Sequence, residues 1–442
     1  MKIGVLVTYF HPFRDGTENQ CLYWSSELAK PKPEKFNSER ISENIAPQHQ
    51  LGSANNSPLG KHEVHIFTSD RRDGKIIKDK YEYFNGLHIH RYKTIFRYRY
   101  YLCWNYKLIL GLLKADLDIL HIHSIGFPQQ DLAVLLLKLL KPKLKIVNFP
   151  HGPFLANENY SLPIKLFREC YRIIERAIVN GKYDGIIDCN GFQKVTWMPK
   201  YFPNLEKVFY CPDGIPRDRF RKISDGDFAQ RFGLKNKFVI AHMGRLLRYK
   251  GQEQVLKVLP EIVKKHPDVV YLMIGEDRGY KKDLDEIIKK SGLEKNVVFA
   301  GWVSEDDKLR ALDAADVICF TSMPGTEAFG IILLEGMARG CVPITTKIGE
   351  GSPAVKHGEN GFIYDYGDLE SLKKYLLQLI ENKELYKQMQ RNSMEKVRGF
   401  VNEDIVWKYL EPKYKELIGT VPEASSRPAA GGKPRAAQHE NN

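Results

Sequence analysis

Long apolar runs alternate with stretches of helical period along most of the chain. KIGVLVTYF (Lys2–Phe10) is continuously apolar, as expected of a parallel strand covered on both faces. It breaks at HPFRDGTE, and a helix is predicted from about Glu18 to Lys30. EVHIFTS and GLHIHRY read as the second and third strands. DILHIHS (Asp118–Ser124) and LKIVNF (Leu144–Phe149) read as buried strands either side of a helix near Gln129–Leu140. Between these groups RYRYYLCWNYKLILGLLK (Arg97–Lys114) has the length of a helix and is dense in Tyr, Trp and basic residues. A helix over Leu162–Val179 leads into the strand DGIIDCN, and KVFYCPDG (Lys207–Gly214) closes this half.

The alternation then starts again. FVIAHMG (Phe238–Gly244), VVYLMIG (Val269–Gly275), KNVVFAGWV, DVICFTS (Asp316–Ser322), VPITT and GFIYD are strand candidates. Helices are predicted over Leu369–Glu381, Glu384–Phe400 and Asp404–Ile418, and KKDLDEIIKKSG reads as a solvated helix. Strands alternating with helices predict parallel sheets of the α/β class. The expected boundaries are 1–214 for the first domain, 215–237 for a linker, 238–400 for the second, 401–419 for a closing helix and 420–442 for a flexible tail.

Residues 31–60 do not fit this alternation. They are polar, poor in aromatics and rich in Pro, Ser and Asn, where connections usually take about 2–6 residues. Such a composition builds no core, and a disordered, dispensable insertion is expected. The length of 442 residues suits two domains. Seven cysteines without a C-x-x-C argue for reduced thiols and against a disulfide framework or zinc site. No signal peptide or bilayer-spanning run is read, so a cytoplasmic protein, peripheral on the membrane's cytoplasmic face at most, is expected. The net charge of +13 is uneven: residues 1–220 hold 32 Lys/Arg against 22 Asp/Glu, and the remainder 35 against 32. That makes an anionic membrane surface a candidate partner. No nucleic-acid module is present.

The candidate chemistry centres on TSMPGTEAFGIILLEGMARGCVPITTKIGEG (Thr321–Gly351). A strand ends in the loop MPGT, a helix is expected from about Ala328 to near Gly340, and a strand follows. Glu327 stands at the helix entrance and Glu335 eight positions on. At the helical rise that is about 12 Å, beyond the roughly 5–10 Å of a glycosidase pair but suited to two ends of one ligand. A helix start beside Gly330 offers N–H groups to an anion. Near the amino terminus, Gly16 lies in a βα turn of the kind that carries ligands. His121 and His123 share one strand face and read as structural or cleft-lining.

This stretch, EAFG followed by EGMARGCVP and GEG, resembles the E-x7-E signature of the retaining glycosyltransferases of family 4. The likeness extends to GRLLRYKG, similar to the family's G-R-x4-K-G, to HGPF at His151, and to the RDGTE loop, where Asp15 stands in place of a usual glycine. It implies the GT-B fold, two Rossmann-like, doubly wound parallel-sheet domains facing a cleft. It implies that Arg245 and Lys250 grip a donor diphosphate, Glu327 the sugar and Glu335 the ribose. Backbone near Phe329, Gly330, Ile331 and Ile332 would complete the cradle, with His151 opposite and Gly16 close to the donor. The implied activity is metal-independent transfer, with retention, of a hexose from a UDP- or GDP-sugar to a sugar, lipid or lipid-linked glycan. No cofactor is implied, and the nucleotide-sugar is a co-substrate. Competing readings are another enzyme of the same fold, such as a nucleotide-sugar epimerase, and a non-catalytic basic membrane-binding protein.

Overall fold

The structure, a computed structural model, describes residues 1–12, 16–32, 62–72, 75–98, 102–152, 162–223, 226–347 and 353–419. Most of the 31–60 insertion, the tail from 420 onward, Asp15 and the GEG at 349–351 lie outside the described residues.

Two sheets organise the chain. The first has eight strands in the order Val208–Tyr210, Gly185–Asp188, Lys145–Phe149, Ile119–His123, Lys2–Leu6, Glu63–Ser69, Leu87–Tyr92 and Tyr81–Phe84. All neighbours are parallel except the last pair. The second has six parallel strands: Val297–Gly301, Val269–Ile274, Phe238–Met243, Val317–Phe320, Val342–Thr346 and Phe362–Tyr364. Buried Ile, Val and Leu fill the strands, the composition two-sided coverage requires. In each sheet the order reverses beside the first strand, between Lys2–Leu6 and Ile119–His123, and between Phe238–Met243 and Val317–Phe320. The carboxyl ends at such reversals are where open α/β sheets bind ligands.

Three expectations are corrected. Arg97–Lys114 is not one helix: Phe96–Tyr98 and Leu102–Trp104 pair as an antiparallel hairpin, and the helix runs only from Tyr106 to Lys114. Asn105 sets that start, its side chain accepting from the Leu108 N–H at 3.1 Å, so the upstream aromatics never enter the helix. The edge strand Tyr81–Phe84 was not foreseen, although Asn85-Gly86 between it and Leu87–Tyr92, with φ of 50° and 80°, is a strong hairpin signal. The closing helix is broken into Asn402–Ile405, a π turn over Val406–Leu410 and Glu411–Leu417. Pro412 has no N–H for the carbonyl four residues back, which accounts for the widened turn.

That closing stretch returns to the first sheet. Asn402 Oδ1 accepts from Trp24 Nε1 at 3.1 Å, Trp407 Nε1 donates to Glu27 at 3.0 Å, and the Tyr414 hydroxyl meets His121 Nδ1 at 2.5 Å.

Candidate active site

The loops at the reversal of the second sheet are laced together. The Thr321 hydroxyl reaches the carbonyls of Lys250 and Gly251 at 3.1 and 2.8 Å. The Met323 N–H donates to the Tyr249 carbonyl at 2.8 Å. A Cβ on Gly251 would stand 2.1 Å from the Thr321 carbonyl oxygen, and its φ is +70°, so only glycine lets the turn Arg248–Lys250 close on this strand end. The lacing delivers Lys250 Nζ to Glu327 Oε1, an ion pair with both side chains four-fifths or more buried. Arg245, three residues before that turn, is exposed. No partner for its guanidinium occurs among the described residues, and its carbonyl is held by Gln252 Nε2 at 3.0 Å. Beneath them burial, then the Lys250 charge, pushes His242 down to about 3, so that ring is neutral and adds no second positive charge beside Lys250.

The helix of the E-x7-E unit spans Ile331–Arg339, with Gly330 at its N-cap in the left-handed region. Its start is later than Ala328, so Glu327 sits in a loop outside the helix and the 12 Å helical spacing does not apply to the two glutamates. The N–H groups that open this helix are those of Ile331 and Ile332. The Phe329 side chain is buried against Phe400, centroids 5.8 Å apart, which leaves only its backbone for a ligand. Glu335 is taken by Lys308 Nζ at 2.8 Å, and Lys308 also meets Glu305 at 3.0 Å. Burial works against the Lys308 charge, yet the Glu335 and Glu305 carboxylates raise its pKa above the ordinary lysine value.

The first sheet meets this loop from the other side. Asn190, just beyond Gly185–Asp188, donates its Nδ2 to the Ala328 carbonyl at 2.8 Å. Its Oδ1 holds the N–H groups of Phe192 and Gln193. Gly152, with φ +119°, adopts a backbone that strains a side chain, and its Cβ would stand a tight 3.1 Å from that of Ala328. His151 is thereby placed one residue from the Glu327 loop. Its Nε2 pairs with His123 Nδ1 at 2.8 Å, and its ring stacks on Phe149 at 3.7 Å. Burial and then the His123 charge hold His151 well below the usual imidazole range, and burial takes His123 to about 3. Both are neutral at pH 7. Gly16 opens the first helix with open space where a Cβ would be, and it is not brought into contact with the cluster there. His121 is committed to Tyr414, and no cluster suited to a metal occurs among the described residues.

Lys250 and Glu327 are thus paired, with Arg245 exposed beside them and His151 next to the Gly152–Ala328 contact, whereas Glu335 sits in its own pair with Lys308. Lys308 and Asn190 were missed by the sequence reading. Lys308 looks like an ordinary helix cation three residues after Glu305; Asn190 looks like a turn residue, though N-G at a strand's carboxyl end is a usable signal.

Two parallel, doubly wound sheets facing one another across such a cleft define the GT-B fold. The chain aligns over 95% of its length with all of Anabaena HepE in complex with UDP, at TM-score 0.67 and 18–19% identity. Residues 225–396, which hold the whole second sheet, match the family described as Glycosyl transferases group 1. Among full-length relatives, the chain is 25% identical over 369 residues to the N-acetyl-alpha-D-glucosaminyl L-malate synthase of Bacillus anthracis, covering 81% of this chain and 90% of that one. It is 26% identical over 299 residues to the phosphatidyl-myo-inositol mannosyltransferase of Mycobacterium tuberculosis, covering 65% and 71%.

Proposed function

We propose that the chain is a retaining, metal-independent glycosyltransferase that moves a hexose from a UDP- or GDP-sugar to a sugar, lipid or lipid-linked acceptor. The observation that carries this is the convergence of Lys250, Glu327 and the helix start at Gly330 on one strand-order reversal. The family match over this sheet supports it, as do the sugar-transferring names of the relatives.

As the bond from sugar to diphosphate breaks, charge collects on phosphate oxygens. Arg245 supplies a planar fork and Lys250 a point charge, set in place beforehand. Glu327, held by Lys250, accepts from sugar hydroxyls, while Glu335, exchanging Lys308 for a diol, accepts from the ribose. His151, neutral, orients the sugar from the opposite wall. The departing phosphate takes the acceptor's proton on the same face, so the protein positions groups and stabilises charge.

The test is turnover of a panel of nucleotide-sugars with the product anomer read by NMR. Lys250→Ala is expected to lower kcat about 10²–10³-fold, the effect of removing one preset donor. Full activity in that variant, an inverted product, or release of an epimerised donor instead of nucleoside diphosphate would overturn the assignment. Activity abolished by EDTA and restored by Mg²⁺ would overturn metal independence.

A further inference from the structure

The helix Leu162–Ile178 is inside out. It rests on the molecule through polar groups: the Tyr171 hydroxyl donates to Asp131, and the Gly126 N–H donates to Glu175 Oε1 at 2.8 Å. Its other side presents Leu162, Leu166, Phe167, Ile173, Ile174 and Ile178, each 50–69% exposed, with the exposed Cys170 among them. At about 100° per residue these positions form one stripe. Lys165, Arg168, Arg172 and Arg176 fall together on the side next to it. A surface helix of a globular domain normally shows the reverse arrangement.

What covers the stripe follows from its size and its border. The helix has 17 residues and is about 25 Å long, so its six exposed apolar side chains, at about 60–120 Å² of accessible surface apiece, offer on the order of 500 Å². Two proteins pairing stably need about 800 Å² from each. A bilayer needs no such area: an apolar stripe with a basic border lies in the interfacial plane, acyl chains on the stripe and anionic headgroups on the cations. The excess of Lys/Arg over Asp/Glu in residues 1–220, 32 against 22, favours the same surface.

We propose that the outer face of Leu162–Ile178 docks the protein on an anionic phospholipid bilayer. The proposal deepens the lipid-acceptor reading above and rests on it only for the consequence. Glu175 of the helix holds the N–H of Gly126, three residues past the carboxyl end of Ile119–His123, and His123 of that strand pairs with His151, so docking sets this carboxyl edge against the surface that would present a lipid-borne acceptor.

Flotation of the full chain with phosphatidylcholine vesicles, with and without phosphatidylglycerol, tests this. Binding is expected only to the anionic vesicles and to weaken at high salt. It is expected to fall more than tenfold in the triple variant Leu166→Ser, Phe167→Ser, Ile174→Ser, whose substituted side chains are exposed and leave the core intact. Nucleotide-sugar hydrolysis without vesicles should be unchanged in the triple variant. Absence of hydrolysis in the native chain would count against the donor reading and leave docking standing. An environment-sensitive dye on Cys170 should shift to the blue on adding anionic vesicles. No vesicle binding by the native chain, or equal binding by the triple variant, overturns the proposal. So does a dye shift that grows with protein concentration alone, which would make the partner a second copy.

Discussion

Single residues at this site act through partners far away in sequence. Arg245, Lys250 and Glu327 could be singled out because each stands in a local, motif-bound βα turn, and Glu335 because it lies eight positions on, inside the following helix. Asn190 and Lys308 were not, because their roles arise only when two loops, or two helices, come together. Asn190 is the sharper case, being 5% exposed with both ends of its amide used. Asn190→Ala leaves the Ala328 carbonyl and two turn N–H groups without it. The expected cost is about 1–3 kcal/mol in thermal unfolding, with a raised KM for donor because the Glu327 loop loses its clasp. Asp213 is the residue to watch with pH. Burial pushes it up to about 7 from an ordinary 3.8. The folded chain therefore keeps a proton that the unfolded chain releases from about pH 4 upward. Its contribution to stability is full below that pH and falls away as the pH rises to about 7. Asp213→Asn should flatten the loss of melting temperature between pH 4 and 7; an unchanged slope would refute the assignment.

Elements were legible wherever an apolar run was long, and failed where local polar chemistry overrode the pattern. Apolar strands from Lys2 to Phe362 were placed to within a few residues, because two-sided burial leaves an unmistakable run. Arg97–Lys114 failed because an asparagine cap outweighed helical length, and the unit's helix started late because Gly330 holds a left-handed turn that Ala328 cannot replace. The helix Leu162–Ile178 was placed correctly as a helix, but its facing was invisible: periodicity reports that a stripe exists, not which way it points. Asn105 gives a direct check at this scale. Its side chain caps Tyr106–Lys114, and Leu108, Ile109 and Leu112 are buried by that helix. Asn105→Ala should cost about 1 kcal/mol of stability, and Asn105→Asp, which still caps, much less. Equal melting temperatures for the two variants would mean that packing alone fixes the helix start.

At the scale of the whole molecule, the sequence showed two sheets but not how the chain's end closes over the first. The expected closing helix at 401–419 carried no sign of its destination, since a fully buried Trp or Tyr does not name its neighbours. In the structure Ile405, Val406, Trp407, Leu410 and Tyr414 are each 0–2% exposed. Burial of such side chains is worth about 1.5–3 kcal/mol apiece, so the five together are on the order of 10 kcal/mol, as large as the roughly 5–15 kcal/mol net stability of a domain. Asn402, Trp407 and Tyr414 of the same stretch carry the bonds to Trp24, Glu27 and His121, and those groups would be left buried without these partners. A chain ended at Val401 should therefore lose the cooperative unfolding of its first sheet and become insoluble or protease-sensitive there, although every residue of 225–396 remains. A chain ended at Gly419 keeps all of these contacts and should melt with the native chain. Within the full chain, Tyr414→Phe removes only the hydroxyl from His121 Nδ1, whose ring burial holds neutral, and should cost about 1–3 kcal/mol. If the Val401 truncation melted like the native chain, the last stretch would be an appendage and the closure of the first sheet would have to lie elsewhere.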